Sequence, residues 1–181
     1  MIDTLYGALR RANRIVALVL GLALVLTVLF ILTDVILRKM GQGSLGGSDE
    51  ISGYVMAAVA SWGLSFALIE RAHVRIDVLR LKLQPMGRMV MDVFAMIVTN
   101  AVILLIAFRS WPVLEKTLER GSRANTPLET PLWIPQGIWF SGWLWFAFTA
   151  TALSLIALSH VISGRQQALD ATIGIGSEVE L

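Results

Sequence analysis

The chain has 181 residues, 56% of them hydrophobic and only 15% charged, with a mean hydropathy of +0.71, which leaves too little polar surface to cover a soluble globule. It has no cysteine and only two histidines, His73 and His160, so disulfides, thiol chemistry and cysteine-ligated metals are excluded and a histidine-built metal site is improbable. The net charge of +2 lies in the links between apolar runs, as membrane topology requires and nucleic-acid binding does not.

The first segment, Asp3 to Arg14, is a polar head with Arg10, Arg11 and Arg14 ahead of the first apolar run. Ile15 to Leu32 is apolar or small throughout and would rise about 27 Å as a helix, close to the hydrocarbon thickness and too long for a signal core. The first span is therefore expected over 15–37, kept in the chain as an anchor. Near its far end Asp34 and Arg38 lie four apart, acid first, the favourable order for an intrahelical pair; a contact with another subunit is the alternative. The stretch Gly41 to Glu50, GQGSLGGSDE, must turn freely before Ser48 offers an N-cap oxygen. Asp49 and Glu50 then fall in the first turn of the next helix, where its dipole favours negative charge.

The second span is expected over 51–69. Along it Gly53, Ala57, Ser61 and Ser65 recur every four residues and form a flat stripe, on which a neighbouring helix of this chain or of another subunit can approach closely. Residues 70–88 interleave Arg71, Arg75, Arg80, Lys82 and Arg88 with valine, isoleucine and leucine, and His73 lies among them. Such a segment suits the boundary between headgroups and hydrocarbon, so 70–88 is read as an amphipathic interfacial connector in contact with membrane lipid.

The third span is expected over 90–108, with Asp92 at its entry and Asn100 near its centre as interhelical glue or as part of an ion path. Beyond it the helix continues, bent near Pro112 and stopped at Gly121. Pro127, Pro131 and Pro135 then stiffen an extended entry to a fourth span over 137–161. Trp133, Trp139, Trp143 and Trp145 at that entry read as an interfacial aromatic belt. The remainder, 163–181, reads as a short polar mobile tail. Nine of the fifteen Lys and Arg residues lie in the head, middle and tail and six in the other two connectors, which places both termini inside the cell.

The fold class is thus all-α integral membrane: one domain of four transmembrane helices, with an amphipathic interfacial connector between the second and third. There is no phosphate-binding loop, no nucleophile paired with a base and no paired-carboxylate site. An enzyme is disfavoured, and no catalytic, cofactor or metal residue is assigned. Two or three interior polar groups offer little for a self-sufficient transporter. The competing reading is a self-assembling ion or proton channel with Asn100 and Asp92 turned toward a shared axis.

The order of motifs resembles the small membrane subunit, the Q or DctQ type, of tripartite ATP-independent periplasmic (TRAP) transporters. The residues that carry the likeness are DVILR at Asp34 to Arg38, SDE at Ser48 to Glu50 and ERAHVRIDVL at Glu70 to Leu79, with Gly121 and Ser122 and the proline-rich approach to the last span. Gly47 and Ser48 stand where the family usually has an aromatic before the acidic pair. The resemblance implies a bacterial inner-membrane scaffold in a sodium-driven uptake system for an organic acid. A large membrane subunit would carry solute and sodium, and a periplasmic binding protein would deliver the solute. It further implies that Ser48, Asp49, Glu50, Arg120 and Arg123 face the periplasm as partner contacts. Arg71, His73 and Arg75 would anchor the cytoplasmic edge, beside Arg80 and Lys82.

Overall fold

The computed structural model describes residues 2–72 and 82–174. Four long helices dominate it: α1 (Ile2–Lys39), α2 (Ser48–Ile69), α3 (Pro85–Arg120) and α4 (Trp133–Ile162), followed by a short α5 (Gln166–Ile173). All four long helices are long and apolar enough to cross a membrane.

Each starts or stops where local chemistry dictates. Gly47 holds φ 71° to turn the chain into α2, a backbone conformation that costs glycine nothing and other residues a good deal. Pro85 opens α3, where its missing N–H would have had no helical partner in any case. The same helix runs on through Pro112 and ends at Gly121 with φ 59°, its N–H bonded to the Leu118 carbonyl. The helices overrun the expected spans because their flanking polar turns keep the helical period. α1, at 38 residues, is about 57 Å long, well beyond the hydrocarbon layer.

Packing order differs from chain order. α2 lies against α1 on one side and α4 on the other, and α4 lies in turn against α3, so the row reads α1, α2, α4, α3. The core follows that row. In the most apolar window of α4, 44% of residues are buried inside the protein, against none in that of α1. Ala150, Leu153 and Ala157 of α4 form its centre, with Leu68 and Ile69 from α2 and Met96, Ile103 and Ala107 from α3.

Two expectations are corrected here. The segment between α3 and α4 is not an extended entry: Ala124 N–H bonds to the Thr130 carbonyl, Leu132 N–H bonds to the Ser122 carbonyl, and Arg123 pairs with Pro131 in a β-bridge. It is a closed loop: Pro127 sits at its turn, Pro131 in the bridge that closes it, and Pro135 already lies within α4. Part of the tail is likewise a helix. Leu169 and Ile173 of α5, one helical turn apart, are buried against the core, and that burial holds the segment down. Residues 73–81 of the connector at 70–88, including His73, Arg75 and Arg80, lie outside the described residues, whereas Arg71 is half-buried with φ 58° and Lys82 is exposed.

Candidate functional site

At one end of the row, the loop between α1 and α2 and the loop between α3 and α4 meet. The fully buried carboxylate of Asp34 organises the first of them. Its Oδ1 accepts from the Ser44 hydroxyl at 2.8 Å and the Leu45 N–H at 2.7 Å, and its Oδ2 accepts from the Ser48 hydroxyl at 3.0 Å. The Arg38 guanidinium lies 2.7 Å from Oδ2. The intrahelical pair therefore forms, but it is one contact among four. Ser48 is not the N-cap: that position is Gly47, with no side-chain cap, because the Ser48 hydroxyl is given to Asp34.

Glu50 makes the second joint. Its buried carboxylate accepts from Tyr54 Oη at 2.6 Å, one turn along α2, and from the Thr126 hydroxyl in the opposite loop. Beside it the Leu128 side chain closes over Gly47, so that a Cβ there would meet its Cδ1 and the leucine would have to move. Of the five residues assigned to periplasmic contact, Ser48 and Glu50 are thus buried, Ser48 closing the α1–α2 turn onto Asp34 and Glu50 joining the two loops. Asp49, Arg120 and Arg123 are exposed at this end, Arg123 also donating to the Glu129 carbonyl at 3.4 Å.

The small-residue stripe of α2 divides in two. Ser61 and Ser65 are fully buried, with their hydroxyls turned back to carbonyls of their own helix, as buried hydroxyls in lipid must be. Gly142 of α4 lies directly on Ser61, and a Cβ there would come within 2.6 Å of Trp62 Cδ1. Ala57 is half-buried and Gly53 is exposed, with nothing within 4 Å of where its Cβ would be. Close packing thus covers the Ser61 and Ser65 half of the stripe and not the Gly53 end.

Polar groups within the spans are joined across helices. Asn100 Oδ1 accepts from Thr151 of α4 at 3.0 Å. Asn13 of α1 is fully buried: its Oδ1 accepts from Trp145 Nε1 at 3.1 Å and its Nδ2 donates to the Leu9 carbonyl at 3.0 Å. Trp62 stacks on Trp145 with ring centroids 6.3 Å apart and donates its Nε1–H to the Ile138 carbonyl at 2.9 Å. Trp145 is therefore an interior clamp rather than a member of an interfacial belt. Asn13, hidden among the head arginines, was not legible as its partner; the signal was its spacing of four from Leu9, which puts the two on one face of α1.

At the other end of the row, Arg10 and Glu70 form a two-pronged ion pair, 2.7 and 2.8 Å. The Arg10 hydrogen bonds hold the Glu70 carboxyl below the usual glutamate range, against a smaller opposing effect of burial. Among the described residues no group of three His, Asp or Glu could hold a metal ion.

This is a multi-span membrane protein whose polar side chains largely fasten one part of the chain to another. Its sequence matches the model of the family described as tripartite ATP-independent periplasmic transporters, DctQ component, over residues 27–163, more than half of the chain. The chain belongs to that family. Neither the curated proteins nor the solved structures gave a match.

Proposed function

We propose that the chain is the scaffolding small subunit of a sodium-driven tripartite transporter that imports an organic acid across the bacterial inner membrane. A large membrane subunit carries solute and sodium, and a periplasmic binding protein delivers the solute. Both termini lie in the cytoplasm, and the joined loops around Asp34 and Glu50 face the periplasm, presenting Asp49, Arg120 and Arg123 to a partner. The small subunit contributes no catalytic group or cofactor.

The observation that supports this most is the contrast between a closed polar interior and uncovered helices at the ends of the row. Asn13, Asp34, Ser48, Glu50 and Asn100 all have partners within the chain. By contrast, Val19, Leu26, Leu29 and Ile36 of α1 and Phe94, Leu105 and Phe108 of α3 are each more than half exposed. Membrane helices with long open apolar faces suit a brace laid against a larger membrane partner. The channel reading is weaker, since Asn100 is bonded to Thr151 and Asp92 is buried.

Co-expression with the large subunit, extraction in mild detergent and pull-down on a tag on this chain should recover both polypeptides. Liposomes carrying this chain alone should show neither solute uptake nor ion conductance. Uptake or conductance by the isolated chain would overturn the reading.

A further inference from the structure

The inner end of the row carries an open groove between α1 and α2 of about 580 Å³, lined by Gly7, Arg10, Arg11, Arg14, Phe66 and Glu70. Three arginines and one glutamate leave the lining with two positive charges in excess. Arg10 is engaged by Glu70, whereas Arg11 and Arg14 are exposed and make no hydrogen bond among the described residues. The groove continues into an apolar stripe. Residues 7, 10, 11 and 14 lie on one face of α1, and the same face runs on through Leu18, Gly21, Leu22 and Val25. The three apolar side chains are 68%, 61% and 56% exposed, and Gly21 has open space above it.

We propose that this groove binds the phosphodiester headgroup of an acidic phospholipid, with an acyl chain lying along Leu18, Gly21 and Leu22. Charge and depth point the same way. Arginine forks match phosphate oxygens, and Arg14 immediately precedes the apolar run that begins at Ile15, which is where a headgroup meets hydrocarbon. A free phosphate would use the arginines but leave the stripe below them empty. A zwitterionic headgroup would bring its own cation into a groove that is already positive.

The test uses the full chain in detergent, titrated with phosphatidylglycerol and read by native mass spectrometry, with phosphatidylcholine and inorganic phosphate as parallel arms. Phosphatidylglycerol should be retained well above phosphatidylcholine. In an Arg11→Ala/Arg14→Ala variant its affinity should fall roughly 25-fold, the effect of removing two basic side chains from an anionic surface. Since neither arginine makes a hydrogen bond within the described fold, the variant should unfold at the same temperature as the parent. Equal retention of the two lipids, or unchanged affinity in the variant, would overturn the proposal. So would displacement of the lipid by inorganic phosphate at matching concentration, which would mark a site for a soluble anion. Appearance of a dimer in place of the lipid adduct would assign the groove to a second copy of the chain.

Discussion

A single carboxylate, that of Asp34, holds the Ser44 to Ser48 turn to the end of α1, and its partners differ in kind. Two are hydroxyls, of which that of Ser48 is buried, and one is a backbone N–H; the fourth, Arg38, is about half exposed. Removing the carboxylate strands the other groups, whereas removing the arginine leaves three hydrogen bonds in place. Asp34→Ala should therefore lower the unfolding temperature in detergent by about 5–10 °C, and Arg38→Ala by much less; equal losses would show that the ion pair carries the joint. The pair of Glu70 with Arg10 is different in weight, being largely solvated. Because the folded carboxyl titrates below its unfolded value, its contribution is present above the unfolded pKa and is lost as pH falls through the folded one. Unfolding compared at pH 7 and in the acid range should show a loss of under about 1 kcal/mol from this pair, absent in Arg10→Ala.

Helix α2 shows how a regular sequence pattern can mean two things along its length. Gly142 of α4 presses on Ser61 and Trp62, so Gly142→Ala should force the helices apart at a cost of about 1–3 kcal/mol. Gly53→Ala, on the same stripe but with open space around it, should be neutral or stabilise by about 0.5–1 kcal/mol through helix propensity. Thermal unfolding of the two variants side by side checks both signs. The stripe was legible in the sequence, since period and residue size lie on the surface of the letters; which half is covered depends on where α4 crosses. The four helices were legible for the same reason, hydropathy being a local property. The partners of Asp34 and Glu50 were not. The i, i+4 arginine seemed to account for Asp34 by itself, and Thr126 stands 76 residues from Glu50. In α5 only two well-spaced apolar residues betray a helix, and nothing in the letters says a core awaits them.

Across the whole molecule, both loops that join at Glu50 lie at one end and the turns at Gln84 and Arg165 at the other. The absence of native cysteine makes single-cysteine mapping direct. Gly43→Cys and Asn125→Cys should label from the outside with an impermeant maleimide in intact spheroplasts. Gln84→Cys and Arg165→Cys should label only after the membrane is opened, and any other partition would overturn the orientation.

The row α1, α2, α4, α3 also has a meaning for biosynthesis. A ribosome delivers α3 before α4, yet α3 contacts the rest of the fold through α4 and α5, which come after it. During translation the nascent protein therefore consists of an α1–α2 hairpin and one helix still without neighbours, until the final segment slides between them and completes the assembly.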